Sequence, residues 1–375
     1  MNPLRLHVLY EYGQDRRPYG SAFIRLLRPL THPVFRDKLA VTSGPIYHDT
    51  PVDAVIVDRL WRPDISLAVA QQLRTQVSRV GARLFYALDD NFLMLAQEHK
   101  DWRPTADQLQ ALEFFLAESD GILVTTRPLQ AALRAYNSRI AVVPNMLDDR
   151  LLAGRGVNSA VYSLSWKQWV SKLGSTLLRA RRDWRRSRTT IGYMGTFTHD
   201  DDLLMILPAL WEIWKRHGDT VAFELLGVAA HTETRRLLQG LPVRMLQIKP
   251  RQVEYARFMR WFSRVVNWDI AISPLCDTAF NQCKSDIKFL DYAVIGAAGV
   301  FSRVPAYAET VRHGETGWLA ENTSPAWVEA LDTLIRDNTL RKRMATAATC
   351  YLYTERIVRH AAGYWLAALE ELIGR

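Results

Sequence analysis

The chain has 375 residues, more than one hydrophobic core usually serves, and this length predicts two domains. Its 48% hydrophobic and 23% charged residues are typical of a globular protein, and the sequence has no run of 18 apolar residues that would predict a membrane-spanning helix. The formal net charge of +9 is concentrated in one short segment.

The N-terminus and the cysteines indicate the compartment. The opening residues MNPLRLHVLYEYG lack the pattern of a signal peptide, because polar and acidic residues come too early. Cys276, Cys283 and Cys350 are odd in number and lack metal-ligand spacing, which is typical of free thiols in a reducing compartment. We therefore expect a cytoplasmic protein.

Short apolar runs alternate with helical patterns over residues 1–150. The runs of strand length are 6–10, 54–58, 83–87, 121–125 and 140–144, and the helical patterns include 22–30, 66–80 and 106–118. Continuous hydrophobicity predicts strands that are covered on both faces, and the alternation with helices predicts a parallel sheet. Residues 1–150 are therefore predicted to form a doubly wound α/β domain.

Two turns of this predicted domain carry candidate site residues. Arg16 lies in EYGQDRRPYGSAF, after the first strand, where it either binds an anionic ligand or contacts only water. Asp89 and Asp90 in YALDDNF follow a strand, where a carboxylate either binds substrate hydroxyls and orients an attacking oxygen, or caps the next helix. Two adjacent aspartates without a third ligand do not specify a metal site.

Residues 151–188 fit neither pattern. Apolar residues recur at spacings of three and four from Tyr162 to Leu177, and residues 165–188 hold eight Lys or Arg against one acid, Asp183. A basic amphipathic helix with tryptophans at its flank can lie on an anionic membrane, where each basic residue contributes roughly 1 kcal/mol. An interdomain helix with a solvated arginine face explains the pattern equally well. Nucleic acid is not expected, because no recognised binding fold surrounds the arginines.

The strand and helix rhythm begins again after residue 189. The apolar runs are 190–194, 222–226, 244–248, 269–273 and 299–302, with helical patterns such as 202–217 and 255–264 between them. A second doubly wound domain of similar size is therefore predicted. Ligands bind beyond the carboxyl ends of parallel strands, so we expect the mouths of the two domains to face each other.

The turn in IGYMGTFTHDDDL places Gly195 and Thr196 before a helix that begins near Asp201. A glycine here lets a diphosphate approach backbone N–H groups and the positive end of the helix, although a glycine after a strand is often only a tight turn. The three aspartates at 200–202 are expected to cap the helix from outside. His199 and His313 lie near candidate loops, where a lone histidine is more often structural.

The segment FNQCKSDIKFLDYAVIGAAGVF predicts a helix over about 285–295, which Gly296 ends. Lys284, Lys288 and Asp291 recur at i, i+4 and i+7 and form one stripe. This stripe is either a solvated face with a Lys288–Asp291 pair or a binding face. As a binding face, the lysines would meet a diphosphate at the helix start, and Asp291 would accept hydrogen bonds from ribose hydroxyls.

The segments IGYMGTF, DIAISPL, KSDIKFLDYAVIGAAGVFS and YAETVRHGETGWLAEN together resemble the GT-B glycosyltransferases, specifically the retaining nucleotide-sugar enzymes of family 4. The resemblance extends over about residues 189–335, and over 1–150 it depends on topology and on PYGSAF and YALDDNF. It implies two doubly wound Rossmann-like domains facing across a cleft. It also implies a C-terminal helix at 354–375 that crosses back to the first domain.

The resemblance implies a role for Asp291, because an acidic residue at this position binds the nucleotide ribose in that family. The family usually has two glutamates separated by seven residues, and the first of these positions is Cys283 here. An Arg and a Lys commonly follow the Gly-rich turn after the second domain's first strand, and TFTHDDD offers neither. We infer that Lys284 and Lys288 hold the donor diphosphate instead.

The predicted activity is transfer of a sugar from a nucleotide-diphosphate donor to an acceptor hydroxyl. The turn equivalent to Gly20 and Ser21 lies at the cleft in GT-B proteins and often contacts a donor or acceptor phosphate. The predicted site residues are Asp89, Asp90 and Lys288 for catalysis, Gly195, Thr196, Lys284, Ser285, Lys288 and Asp291 for the donor, and Gly20, Ser21 and Arg16 for the acceptor or a phosphate.

The predicted domains are an acceptor domain at 1–150, a basic linker at 151–188, a donor domain at 189–353 and the C-terminal helix. We expect no permanently bound cofactor and no metal, with a nucleotide-sugar as donor and a saccharide or lipid-linked saccharide as acceptor. A role in bacterial surface glycan synthesis is expected, in the cytoplasm or peripheral to the plasma membrane through residues 161–188. The alternative is a catalytically inactive GT-B-like scaffold of a glycan-assembly complex.

Overall fold

The computed structural model describes residues 2–98, 103–152 and 188–374. The chain forms two compact units. Unit 1 comprises Met1–Asp148, Thr278–Ser285 and Ile357–Arg375, and unit 2 comprises Asp149–Asp277 and Asp286–Arg356. Most of the predicted basic segment, and with it the membrane contact predicted for residues 161–188, lies outside the described residues.

Unit 1 contains a six-stranded parallel sheet in the order β2-β1-β3-β4-β5-β6. Its strands are β1 (Leu4–Leu9), β2 (Leu39–Gly44), β3 (Ala54–Asp58), β4 (Arg83–Leu88), β5 (Gly121–Val124) and β6 (Ile140–Val142). All five residues of β3 are buried, which is why its sequence AVIVD shows continuous rather than alternating hydrophobicity.

Unit 2 contains a second six-stranded parallel sheet in the order β12-β11-β10-β7-β8-β9. Its strands are β7 (Thr189–Met194), β8 (Val221–Leu226), β9 (Val243–Leu246), β10 (Ile270–Ser273), β11 (Ala298–Ser302) and β12 (Trp318–Ala320). The prediction of two parallel α/β sheets is confirmed.

The described helices are numbered along the chain. They are α1 (Gly20–Ala22), α2 (Arg28–Leu30), α3 (Leu67–Arg79), α4 (Phe92–Glu98), α5 (Ala106–Glu118), α6 (Arg127–Leu133), α7 (Asp149–Leu152), α8 (Asp200–His217), α9 (Thr232–Leu237), α10 (Tyr255–Val265), α11 (Ala279–Gln282), α12 (Ile287–Ile295), α13 (Pro305–Ala308), α14 (Ser324–Arg336), α15 (Asn338–Tyr351) and α16 (Val358–Ile373). A π-helical turn, Phe23–Leu27, joins α1 to α2, and a second one, Leu352–Arg356, follows α15.

Local sequence explains where several helices begin. The side chains of Ser66, Thr105 and Thr126 accept hydrogen bonds from backbone N–H groups in the first turns of α3, α5 and α6. Each such cap satisfies a donor that the helix itself leaves unpaired, and its loss typically costs about 1 kcal/mol. The buried side chains of α3, α5 and α6 belong to one apolar cluster of unit 1, and those of α16 belong to a second one.

Both sheets reverse their strand order at one point. In unit 1 the chain continues from β1 to β2 on one side and returns to β3 on the other. In unit 2 the same reversal separates β7 from β10. Ligands of doubly wound sheets bind outside the carboxyl ends of the strands at such a reversal. The residues that follow β1, β3, β7 and β10 are therefore the ones to examine for a site.

The structure differs from the predicted elements in a few places. Strands β2 and β12 do not appear in the prediction, because β2 is a largely exposed edge strand and β12 has three residues. Helix α12 begins at Ile287, two residues later than predicted, so Lys284 precedes it. The compact units place residues 278–285 in unit 1, whereas the sequence-based division assigns them to the second domain. None of the described helices has the length and apolar character needed to cross a bilayer.

Candidate functional site

The turn after β7 in unit 2 has no room for a side chain at Gly195. A Cβ atom added to Gly195 would lie 2.7 Å from Val228 Cγ1 and 3.1 Å from His199 Cδ2. Gly227, which follows β8, has a φ of 76°, and a Cβ there would lie 2.2 Å from the Gly195 carbonyl oxygen. Both glycines are therefore required for the β7 and β8 ends to approach each other. Thr196 follows Gly195 and is exposed, with its Oγ1 2.8 Å from that of Thr198.

A lysine, a histidine and an aspartate form a chain of contacts beside this turn. Lys288 Nζ lies 3.0 Å from His199 Nε2, and His199 Nδ1 lies 2.6 Å from Asp202 Oδ2. Because an ammonium group can only donate, Nε2 accepts, and the imidazole proton is on Nδ1 and is donated to Asp202. His199 thus links the Lys288 ammonium to the Asp202 carboxylate.

Two of the three aspartates at the start of α8, Asp200 and Asp202, turn inward rather than capping the helix from outside, whereas Asp201 is exposed. Asp200 Oδ1 accepts hydrogen bonds from the N–H groups of Ala229 and Ala230, at 2.7 and 3.3 Å, and Asp202 Oδ1 accepts one from Cys276 at 2.6 Å. Burial works to raise the pKa of Asp202, but the hydrogen bonds from His199 and Cys276 and the charge of Lys288 hold that pKa below its ordinary value. These carboxylates fasten the loops after β8 and β10 to the helix start.

Asp291 is a buried carboxylate with unused hydrogen-bonding capacity. Its side chain lies one turn after Lys288 on α12, the residue is 7% exposed, and Oδ1 has no hydrogen-bond partner among the described residues. Burial raises the pKa of Asp291 to about 7, and the charge of Lys288 opposes this shift. A buried acceptor without a partner lowers the stability of the protein, and a ligand that donates a hydrogen bond to it would remove this cost.

Lys284 and Ser285 belong to unit 1 and have partners there. Lys284 Nζ lies 3.4 Å from Asp90 Oδ1 and 4.3 Å from the centre of the Phe280 ring. Ser285 Oγ accepts a hydrogen bond from Asn145 Nδ2 at 2.8 Å. Because α12 begins only at Ile287, the predicted stripe of three residues on one helix is reduced to Lys288 and Asp291.

Unit 1 has a cluster of charged and polar side chains at the reversal between β1 and β3, which we call the Arg59 cluster. Its members are Glu11, Ser21, Arg25, Asp58, Arg59, Asp89, Asp90 and Lys284. Arg59 Nε lies 3.3 Å from Glu11 Oε2 and 3.4 Å from Asp89 Oδ1, and its Nη1 donates to Ser21 Oγ at 2.9 Å. The φ of Arg59 is 48°, an uncommon value for a residue with a side chain.

Two carboxyl groups of the Arg59 cluster have strongly shifted pKa values. Burial raises the pKa of Glu11 to about 7, although the positive charge of Arg59 lowers it. Burial likewise raises the pKa of Asp58 to about 6, with Arg25 as the main opposing charge. Both groups therefore change charge near neutral pH, whereas free carboxylic acids do so near pH 4.

We expect these groups to make stability fall as the pH rises from about 4.5 to 7. The folded chain holds the Glu11 and Asp58 protons more tightly than the unfolded chain, so their contribution is fully present below the unfolded pKa values and is lost above about pH 7. The shift at Glu11 corresponds to about 3 kcal/mol. In urea unfolding across this range, the free energy of unfolding of Glu11→Gln should depend less on pH than that of wild type. The exposed control Glu309→Gln should show the wild-type pH dependence. An unchanged dependence in Glu11→Gln would contradict the assignment.

The remaining sequence-predicted residues are distributed as follows. Asp89 and Asp90 lie in the Arg59 cluster, and the cap of α4 is instead provided by Asn91, whose Oδ1 accepts from the Met94 N–H at 3.3 Å. Gly20 begins α1 next to Ser21 and is exposed. Arg16 lies exposed in the preceding turn with a φ of 58°.

Cys283 occupies the position where the resemblance implies a glutamate. It is 4% exposed and belongs to an apolar cluster of unit 1. Asn91 Nδ2 lies 3.7 Å from its Sγ, and Thr126 Oγ1 donates to its backbone oxygen at 2.9 Å. Burial raises the pKa of the thiol. Cys283 is therefore a core residue.

Sequence reasoning missed several residues of these sites. Glu11, Arg25, Asp58 and Arg59 do not appear among the predicted site residues, although Arg59 directly follows β3 and Glu11 lies two residues after the end of β1. His199 is expected from the sequence to be structural, and the structure shows it in direct contact with Lys288. Glu11 and Arg59 could have been found in the sequence as charged residues within two positions of a strand's carboxyl end.

Comparison with known proteins finds a match over the part of the chain that contains the unit 2 site. Residues 188–337 match the family model described as Glycosyl transferases group 1. All strands of unit 2 lie within the matched residues, as do Gly195, His199, Lys288 and Asp291. A search of curated proteins finds no match to the sequence.

Solved glycosyltransferases share the fold of the whole chain. HepE from Anabaena, in complex with UDP-glucose, superposes with a TM-score of 0.62 at 15% identity, over 99% of this chain and 100% of that chain. A glycosyltransferase from Rickettsia africae gives a TM-score of 0.60 at 11% identity, over 99% of each chain. A TarM variant from S. aureus, in complex with UDP and glycan ligands, gives 0.55 at 9% identity, over 86% of this chain and 56% of that chain. The fold is that of the GT-B glycosyltransferases.

Proposed function

We propose that the protein transfers a sugar from a nucleotide-diphosphate donor to an acceptor hydroxyl. The observation that carries the proposal is the contact chain from Asp202 through His199 to Lys288, placed beside Gly195 and one helical turn before Asp291. Lys288 is a cation held in place at the strand reversal, Gly195 lets a ligand approach the backbone closely, and Asp291 is a buried hydrogen-bond acceptor without a donor among the described residues. These are the elements that a nucleoside diphosphate needs.

The donor diphosphate is proposed to bind at Gly195, Thr196 and Lys288. The turn after β7 is free of side-chain bulk at Gly195, and a phosphate there would meet the N-terminal end of α8. Asp200 and Asp202 at that helix start do not compete, because they are occupied by backbone N–H groups and by His199. Lys288 supplies the positive charge that the sequence TFTHDDD lacks.

The ribose is proposed to donate a hydroxyl hydrogen bond to Asp291. Its unpartnered Oδ1 and raised pKa describe a carboxylate that pays a burial cost in the ligand-free protein. A ribose hydroxyl would satisfy this oxygen, and it would favour the ionised form. The resemblance to family 4 enzymes gives the same role to this position.

The Arg59 cluster is proposed to bind the acceptor or the transferred sugar. Asp89 and Asp90 are its more accessible carboxylates, with side chains 17% and 22% exposed, and they would accept hydrogen bonds from sugar hydroxyls. Lys284, Ser285, Gly20, Ser21 and Arg16 belong to the same unit and would contact phosphate or acceptor groups. A saccharide or lipid-linked saccharide of surface glycan synthesis is the acceptor class we propose.

In the proposed reaction an acceptor oxygen forms a bond to the anomeric carbon while the bond from that carbon to the diphosphate breaks. The acceptor proton passes to the departing phosphate oxygen or to solvent, and the nucleoside diphosphate leaves with the bonding electrons. Lys288 and backbone N–H groups stabilise the charge that develops on the diphosphate, which is a contribution that increases in the transition state. Retention of the anomeric configuration is proposed from the resemblance.

Calorimetry with UDP at pH 8, where Asp291 is ionised, tests the donor site. We expect wild type to bind, and Asp291→Asn to bind at least about tenfold more weakly, because a hydrogen bond to a charged group contributes about 1.5–3 kcal/mol. Asp219→Asn is the matched control, since its carboxylate is 87% exposed and pairs with Arg188. GDP, ADP and dTDP should be included so that a different base preference is recognised.

Two outcomes would contradict the proposal. Equal affinity of wild type and Asp291→Asn would remove the ribose assignment. Failure of every nucleoside diphosphate to bind at millimolar concentration would favour a GT-B-like scaffold without catalysis, for which the buried Cys283 at a glutamate position is the supporting observation.

A further inference from the structure

Helix α10 of unit 2 and the turn before it carry a strongly basic surface, which we call the α10 face. Residues 249–265 read KPRQVEYARFMRWFSRV, with five Lys or Arg and one acid. The acid, Glu254, is paired with Arg257 at 3.2 Å. None of the residues proposed above for sugar transfer lies in this segment.

The arginines of α10 occupy one side of the helix. Successive residues of an α-helix turn by about 100°, so Arg257, Arg260 and Arg264 fall within an arc of about 60°. All three are exposed. The opposite side carries Met259 and Phe262, which are 1% and 0% exposed. The helix is therefore anchored by its apolar side and presents its arginines outward.

Apolar side chains border the arginines. Trp261 and Val265 follow Arg257 around the helix within about 80°. Val265 is 61% exposed and Val253, just before the helix, is 71% exposed, while Trp261 is half-buried. The surface therefore offers positive charge to an anionic ligand and, next to it, aliphatic side chains to an apolar one.

We propose that the α10 face binds the surface of an anionic lipid bilayer. Arginines match the headgroup phosphates, and Val253, Val265 and the edge of Trp261 match the boundary between headgroups and acyl chains. This is the arrangement of an interfacial amphipathic helix, with cations next to an apolar strip. Because Met259 and Phe262 already fix the helix, binding does not have to meet the entropy cost of folding it.

The combination of charge and apolar surface distinguishes the possible occupants of the α10 face. A nucleic acid would satisfy the arginines, but it offers no apolar surface to Val253 and Val265. An anionic bilayer satisfies both features, and the proposal is independent of the sugar-transfer activity.

Co-sedimentation with vesicles of phosphatidylglycerol and phosphatidylcholine tests the proposal. The variant Arg257→Gln/Arg260→Gln/Arg264→Gln is compared with Arg79→Gln/Arg134→Gln/Arg343→Gln, which removes the same charge from exposed sites elsewhere. Each interfacial arginine contributes about a fivefold factor in partitioning, so the α10 variant should bind about 100-fold more weakly than wild type. The control variant should retain most of the wild-type binding. Vesicles of phosphatidylcholine alone should bind neither wild type nor the variants.

A second variant separates lipid from other polyanions. Val253→Ser/Val265→Ser keeps every charge and should weaken binding to anionic vesicles while leaving retention on heparin unchanged. If the two arginine variants lose vesicle binding equally, net charge alone explains the binding. If the α10 variant binds vesicles as tightly as wild type, the contact lies on another surface. Either result, or unaltered vesicle binding by the valine variant, would overturn the proposal.

Discussion

Replacing Lys288 by alanine is expected to lower kcat/KM for sugar transfer at least about tenfold without unfolding the protein. The ammonium is held by His199, which is held by Asp202, so it is positioned before the donor binds. Removing one preorganised group that faces developing charge typically costs several kcal/mol of transition-state stabilisation. Initial rates with a nucleotide-sugar donor and the urea midpoint of the variant provide the two measurements.

Lys215→Ala is the matched control for this experiment, because Lys215 is an exposed lysine at the opposite end of α8. It should leave kcat/KM unchanged. His199→Ala should reproduce part of the Lys288 effect, because it removes the group that fixes the ammonium but not the ammonium itself. Wild-type rates in Lys288→Ala, with an unchanged urea midpoint, would show that the diphosphate is stabilised by other groups.

Replacing Arg59 by methionine is expected to destabilise unit 1 by about 3–5 kcal/mol at pH 8, because it leaves buried carboxylates without their counter-charge. Arg59 lies within 3.4 Å of both Glu11 and Asp89, and it donates to Ser21. The loss should shrink as the pH falls towards 5, since Glu11 and Asp58 then take up protons and no longer need the guanidinium. Urea unfolding at several pH values measures both effects.

Arg74→Met provides the comparison for Arg59. Arg74 pairs with Asp120 at 2.7 Å, but its side chain is 31% exposed, so a loss of up to about 1 kcal/mol is expected. A destabilisation of Arg59→Met as small as that of Arg74→Met would contradict the role of Arg59 as the centre of the cluster. A large loss that does not change with pH would contradict the assigned protonation of Glu11 and Asp58.

Sequence patterns were sufficient for the architecture because they report burial along the chain. The apolar run at 54–58 and the helical pattern at 106–118 have the same bounds in the structure as in the prediction, since the strand is covered on both faces and the helix has a Thr105 cap. The edge strand β2 was missed because its side chains are mostly exposed, so nothing in its hydrophobicity distinguishes it from a loop. Periodicity therefore predicts elements that are buried.

The candidate site was only partly predictable for a different reason. Lys288, Asp291 and Gly195 could be selected from local spacing and from the resemblance, because each lies at a strand end or on one helix face. The contact between Lys288 and His199 joins positions 89 residues apart, and no local pattern contains that information. The same is true of Glu11, Arg59 and Asp89, which three separate strands bring to one sheet edge.

The sequence alone determined the α/β class, the two parallel sheets and the resemblance to GT-B glycosyltransferases, because hydrophobic period and short motifs are local properties. Only the tertiary structure decided the partners of the charged residues. It paired Lys284 with Asp90, placed Asp200 and Asp202 of α8 inward and buried Cys283 in an apolar cluster. The physical reason is that a side chain's charge state and function depend on its neighbours in space, and the order of strands in a sheet sets those neighbours.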